Sequence, residues 1–364
     1  MPKLTGNKGE WSEIYVFLRL LEMGRIYAAT ENLERIDSVF YDIIKILRTE
    51  EIGKLEFVVD KFENKISVVL PENERVWISM TASEFGEEAE KLYQTIINTS
   101  GSAFSCEETE SFLSSMGVKS LKAKSTDKSD IRMKIHDINT GFEAVQGFSI
   151  KSRLGSPSTL INAGKTTNFV YEICGNVTER IVADFNDESK KKFKDKFDVL
   201  NAAGCSLKYS GMENEIFENN LVLIDGDLPE ICAHLLLEYY QGNCSTVTDA
   251  LEIITDKNPL KYNLTKGHPF YIYKFKKFLT ECALGMLPSK AWNGTADATG
   301  GYIIVKEDGE VLCYHLFNRN EFENYLVINT KFETASTSRH DFGHIYKESN
   351  QYFIKLNLQI RFIK

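Results

Sequence analysis

No stretch of the chain approaches the roughly 18 consecutive apolar residues that a membrane-spanning helix requires. The N-terminus, MPKLTGNKGEW, also lacks the apolar core of a secretory signal, so a cytoplasmic protein is expected. The seven cysteines, at 106, 174, 205, 232, 244, 282 and 313, show no CxxC spacing, and the six histidines form no ligand cluster with them. That argues against a zinc site and for buried free thiols in a reducing compartment. A GxxxxGK[ST] loop and a GxGxxG following a strand are both missing, which leaves nucleotide hydrolysis without support. Without a GxSxG elbow, a serine hydrolase is likewise unsupported. Positive charge is in deficit, with 43 Lys and Arg against 52 Asp and Glu, a formal net charge of −9. Such a far field does not favour polyanions, yet a sequence-specific enzyme needs only a basic cleft. Internal repeats and low-complexity tracts are absent as well.

What is present suits a globular protein: 43% of the 364 residues are hydrophobic and 26% charged. The length exceeds a usual single domain, and Asn258-Pro259 reads as a lobe boundary, giving lobes of 1–258 and 259–364. Residues 10–22 carry Trp11, Ile14, Tyr15, Leu18 and Leu21 at helical spacing. Glu10 and Glu13 open that helix, where acidic residues complement its dipole. Mostly strand follows from Arg25 to Thr81, then helices over 83–98 and 106–116. Further on, 221–227 reads as strand and turn, 229–240 and part of 241–260 as helix, and 302–305 with 311–316 as a hairpin. Strands are expected at 326–329 and 352–363. The fold class is α/β of a mixed α+β kind.

The organising stretch is SDIRMKIHDINTGFEAVQGFSIKSRLG. Ile131, Met133 and Ile135 alternate with Arg132, Lys134 and His136, the period of a half-buried strand. Asn139-Thr140-Gly141 reads as a tight turn. On the return strand, 143–151, Ser149 and Lys151 share a face. Closure at 139–141 makes paired numbers sum to 280, so Asp130 falls opposite 150, or opposite 149 or 151 with a bulge. Asp130 and Lys151 then meet at the open end of the hairpin. An aspartate and a lysine so placed suit metal-assisted phosphodiester hydrolysis. From spacing alone, an ordinary strand-end salt bridge is the better account of them.

Asp-then-Lys on adjacent strands is similar to the PD-(D/E)xK nuclease core. The string GFSIKSRLGSPSTLINAGKTTNF, with GNKGEWSE near the start and LNLQIRF near the end, resembles the HpaII family of type II restriction endonucleases. These segments are scattered over nearly the whole chain. The resemblance implies a restriction-endonuclease-like core, a mixed central sheet flanked by helices, with a C-terminal mixed α/β lobe contributing to DNA recognition. It also implies Mg²⁺ as cofactor, double-stranded DNA as partner and a short palindromic target, with CCGG expected. A palindrome favours a homodimer by symmetry matching, although monomeric cutters of such sites exist.

One departure stands out: the position two before the lysine, ordinarily Asp or Glu, is Ser149. Candidates for the replacement carboxylate are Glu172 on the following strand, should that strand neighbour the lysine strand, Glu10 and Glu13 on the first helix, and Asp127. Catalytic candidates are thus Asp130, Lys151, Ser149 and Glu172, with metal held by Asp130, Glu10 or Glu13. Ser156-Pro157 reads as the start of a short helix, whose N–H groups and Arg153 face a phosphate. Lys165 and Asn168 belong to a polar stretch that either touches DNA or merely connects. Arg339 and His340, in the loop TASTSRHDFG, suit base or phosphate contact, arginine being the commonest reader of guanine; pairing of Arg339 with Asp341 is the plain alternative. The five lysines of 188–196 read as a solvated helix face. A structure-selective repair nuclease, and a DNA-binding protein with a decayed site, are the competing functions.

Overall fold

The computed structural model describes residues 4–72, 75–122, 129–187, 189 and 192–364. Asp127, and Lys190 and Lys191 of the lysine run, lie outside those residues. The chain divides into two compact units, Met1–Ser158 with Ala296–Tyr325 and Lys364, and Thr159–Thr295 with Leu326–Ile363. This division differs from the 258/259 boundary read from sequence. Asn258 (φ +45°) ends a helix inside the second unit without separating anything.

The first unit starts with α1 (Lys8–Met23), β1 (Arg25–Ala29), β2 (Arg35–Glu50), β3 (Gly53–Asp60), β4 (Lys65–Leu70) and β5 (Arg75–Thr81). Then come α2 (Ala82–Asn98), α3 (Glu107–Ser115), β6 (Ile131–Asp137) and β7 (Glu143–Ser152). The chain continues in the second unit with β8 (Thr159–Ile161), β9 (Asn168–Cys174), α4 (Glu179–Asn186), α5 (Phe193–Ala202) and β10 (Ser206–Met212). Helices α6 (Glu215–Ile224), α7 (Leu228–Tyr240), α8 (Val247–Lys257) and α9 (Phe270–Leu284) follow. Next are β11 (Gly301–Val305), β12 (Val311–His315) and α10 (Arg319–Ile328). The end is built from β13 (Thr330–Phe332), α11 (Thr337–His340), β14 (Ile345–Glu348), β15 (Gln351–Asn357) and β16 (Ile360–Phe362).

A nine-stranded mixed sheet in the order β1-β12-β11-β7-β6-β2-β3-β4-β5 organises the first unit. β1 also pairs with β2, so six of the strands form a closed circuit from which β3, β4 and β5 extend. The apolar stripe of α1, with Trp11, Ile14, Leu18 and Leu21 fully buried, belongs to the same core as Ile43, Met133, Ile135 and Ile303. Asn7 caps α1 in a reciprocal pair of hydrogen bonds with Glu10, which fixes where the helix begins. The second unit holds a four-stranded antiparallel sheet, β10-β9-β15-β14, and a three-stranded one, β13-β16-β8. All seven cysteines are free.

Three local expectations give way. Residues 221–224 and 326–328 are helical, within α6 and α10, because a short apolar run has no period of its own and flanking residues decide it. For α6 the deciding residue is Asn214, whose side chain accepts from the N–H groups of Ile216 and Phe217. No helix starts at Ser156-Pro157; residues 153–158 are bends and extended backbone leading into β8.

β11 runs parallel to β7 with Tyr302 opposite Ser149 and Ile304 opposite Lys151. Its entry depends on Gly301, at φ +100°, where an added Cβ would collide with the Tyr314 carbonyl oxygen. Gly301→Ala is therefore expected to cost at least about 2 kcal/mol, read as a lowered melting temperature, and an unchanged midpoint would refute that account of the strand.

Candidate active site

The hairpin of β6 and β7 pairs Ile131 with Phe148 and His136 with Glu143, so partner numbers sum to 279. The turn takes four residues, 138–141, because Asp137 pairs with Phe142 and its carboxylate accepts from Asn139 N and Thr140 Oγ1. The added residue sets Asp130 opposite Ser149, one of the two bulged alternatives read from sequence, without any bulge. Asp130 N donates to the Phe148 carbonyl at 2.9 Å. Its Oδ2 accepts from Ile150 N at 2.7 Å and from Ser149 Oγ at 3.1 Å. Oδ1 accepts from no donor among the described residues.

Ser149 therefore orients Asp130 and does not stand in for the carboxylate usual at its position. Ser149→Ala should leave the Ile150 N–H bond in place and slow cleavage only about fivefold, the worth of one hydrogen bond. A rate equal to that of Asp130→Ala in the same single-turnover assay would show that the hydroxyl does more than orient.

Lys151 follows on the same face, half-buried, its Nζ 5.2 Å from the ring centre of buried Tyr302. Burial lowers its pKa, and the negative charges of Asp130 and Glu13 pull it back up. Glu13 faces these groups from α1. Desolvation by burial first, then the charge of Asp130, raise its carboxyl to about 8, against smaller opposing effects of Lys122 and Arg48. The helix is held there by Ser12, whose hydroxyl contacts Ser152 Oγ of β7 at 2.8 Å and donates to the Lys8 carbonyl at 2.7 Å. Asp130, Glu13 and Lys151 thus lie within electrostatic reach of one another. A small cleft shared by Glu13 and Asp130 is also lined by Arg48, which is paired with Glu50 at 2.5 Å.

Glu10 is committed elsewhere. Its Oε2 accepts from Asn7 N at 2.9 Å and its Oε1 pairs with Lys122 at 3.0 Å; the backbone bond, then the lysine, hold its carboxyl below its ordinary value. Glu172 is not a replacement carboxylate within the lysine's sheet: β9 lies in the second unit, while the neighbours of β7 are β6 and β11. Its Oε1 accepts from Gln351 Nε2 at 2.9 Å.

Arg153 is half-buried, its Nε without a hydrogen-bond partner among the described residues, and its charge acts on the hydroxyls of Tyr314 and Tyr325. In the second unit, Asn168 is fully buried, donating to Glu213 Oε2 at 2.7 Å and to the His340 carbonyl at 2.9 Å. It accepts from Asn357 Nδ2 at 2.7 Å and so braces the turn that carries Arg339 and His340, with no free edge to offer a base. Lys165 approaches Asp341 at 3.9 Å, and Lys355 and His344 share that aspartate. Sequence reasoning missed Tyr302, Ser12, Arg48 and Lys122; Ser12 alone stood in a quoted string.

Among the described residues, no group of three or more His, Cys, Asp and Glu is arranged to hold a metal. Two carboxylates beside a lysine nonetheless fit a hard cation that keeps several waters and takes further oxygens from its substrate. The unbonded Oδ1 of Asp130 and the mutual repulsion of Asp130 and Glu13 make a site that a divalent cation would relieve. No helix among the described residues is long and apolar enough to cross a membrane.

Comparison with known proteins turns this geometry into a class. The chain is 44% identical over 360 residues, 99% of its own length and 99% of the other's, to the type II restriction enzyme HpaII of Haemophilus parainfluenzae. No solved structure matches it. The protein is a type II restriction endonuclease, a site-specific hydrolase acting on DNA. More narrowly, the HpaII restriction endonuclease family model matches residues 7–362, and the chain belongs to that family.

Proposed function

We propose that this endonuclease cuts both strands of DNA at a short palindrome, CCGG by likeness to its relative, using Mg²⁺ at a site made of Asp130, Glu13 and Lys151. The observation that carries this reading is the meeting of those three groups, Asp130 just before β6, Glu13 on α1 and Lys151 on β7. Asp130, through Oδ1, and Glu13 would hold the ion. When bound there, the ion would supply Lewis acidity toward the scissile phosphate. Lys151, whose charge Asp130 and Glu13 favour against the effect of burial, orients the attacking water and steadies the charge that develops on the phosphate oxygens. Ile150 N–H and Ser149 Oγ hold Asp130 so that Oδ1 stays free.

DNA recognition is assigned to the second unit, where Lys165 approaches Asp341 and the Asn168 brace supports the turn of Arg339 and His340, and to other parts of 259–364. The reading includes a homodimer matched to a two-fold target and a cytoplasmic setting. Ser149 alone would suggest a decayed site, but Glu13 supplies the second carboxylate. Digestion of one sequenced DNA, with and without cytosine methylation, tests the whole. Discrete fragments ending at CCGG, formed with Mg²⁺ and lost with EDTA, are expected. A smear would refute specificity, and cutting in EDTA would refute the metal.

A further inference from the structure

Beside Lys151 opens a cavity of about 860 Å³, lined by residues 7–9, 99–102, 150–152 and 154–158 together with Glu13 and Lys364. Much of that lining is small and hydroxyl-bearing, with Thr99 and Ser100 beside Ser102, Ser152, Ser156 and Ser158, which suits a passing phosphate chain. Besides Lys151 and Lys364, Lys8 supplies a third positive charge. It is the first residue of α1, half-buried, and forms no ion pair among the described residues. Ser12, one turn further on, joins its own hydroxyl to Ser152 and to the Lys8 carbonyl, so the start of the helix is tied to the end of β7. Lys8 then lies over the bend after that strand. A Cβ added at Gly155 would sit 3.3 Å from Lys8 Cβ and 3.8 Å from its Cδ, so the lysine stem runs close against a residue with no side chain of its own.

We infer that Lys8 holds a backbone phosphate of the DNA strand next to the one being cut, a positioning contact that sets the scissile phosphate against Lys151. The inference rests on the reading of this cleft as the cutting site. The stem packed along Gly155 limits where the ammonium can go, and it forms no ion pair among the described residues, whereas Lys122 is occupied by Glu10. Such a contact carries no base information. It adds the same increment to every duplex and releases about one condensed counterion.

The test is fluorescence anisotropy of full-length protein on a CCGG duplex and on a scrambled duplex, in Ca²⁺ in place of Mg²⁺, across a salt series. Lys8→Gln should weaken both complexes about fivefold and lower the slope of log Kd against log salt by about 0.9. Lys8→Arg should restore the slope, which a merely structural role for the lysine would not predict. Gly155→Val, which leaves Lys8 in place but displaces its stem, should lose the same increment and add nothing to Lys8→Gln. A native slope in Lys8→Gln overturns the assignment, and should that variant fail to fold, a native slope in Gly155→Val does so. Absence of salt-dependent binding by the unaltered protein would instead overturn the reading of the cleft.

Discussion

Lys151→Ala is expected to lower the single-turnover cleavage rate about 10³-fold, the loss associated with removing one transition-state donor, while leaving duplex binding in Ca²⁺ nearly intact. The ammonium's surroundings explain the asymmetry. Burial beside Tyr302 lowers its pKa, and the negative charges of Asp130 and Glu13 oppose that shift, so the ammonium sits between an apolar ring and two carboxyl groups. In that setting a positive charge acts strongly on the charge developing at the phosphate and does little for a ground-state complex spread over many contacts. Lys151→Arg should not rescue, because the planar guanidinium is longer and cannot occupy the space between the Tyr302 ring and the carboxylates. Asp130→Asn should be almost as slow: Ile150 N–H can still bond the amide oxygen, but a metal oxygen and a negative charge that favours the Lys151 ammonium are both lost. Binding lost together with cleavage in Lys151→Ala would show that the lysine serves affinity.

The second large effect concerns pH and metal. With Glu13 raised to about 8, the metal-free site carries a proton at neutral pH that a cation must displace. Apparent affinity for a divalent ion should therefore rise about tenfold per pH unit up to about pH 8 and level off above it. Calorimetry with Mn²⁺ in two buffers of different ionisation enthalpy should find about one proton released per ion at pH 7. Glu13→Gln should abolish that release and weaken binding; a native proton count in the variant would place the titrating group elsewhere. The sign for stability follows from the same shift. The folded protein binds this proton more tightly than the unfolded chain, whose glutamate titrates at its ordinary 4.5. The stabilisation is thus complete below that value and lost as pH rises through about 8. A bound divalent ion should reverse the trend by favouring the carboxylate, visible as a metal-induced rise in melting temperature that grows with pH.

Much of the local structure was legible because its signals are local. The apolar stripe of α1, the alternation in β6 and the polar turns between β1 and β5 each follow from a period that neighbouring residues share. The hairpin was legible for the same reason, though its register was offset by one residue because Asp137 closes a longer turn through its side chain. Residues 302–316 were recognised as a hairpin yet assigned to a C-terminal lobe. They join the central sheet next to the lysine strand, an arrangement that no local pattern specifies, since a parallel partner is reached only through a long connection.

The site divides along the same line. Asp130 and Lys151 were readable because an antiparallel hairpin brings residues some twenty positions apart into contact by its geometry alone. Glu13 could be suspected only as one acidic residue of two in a first helical turn; packing separated them, sending Glu10 to the helix cap and Lys122 and leaving Glu13 facing Asp130. Asn168 read as a polar loop residue, but fold-wide packing put it at zero exposure as a brace for Arg339 and His340. By itself the sequence determined the elements, the family and the strand-end pair, all set by short-range periodicity and by residue strings. Only the tertiary structure decided which carboxylate joins that pair, which strand flanks it and which polar residues are buried, because those depend on contacts between residues far apart in the chain.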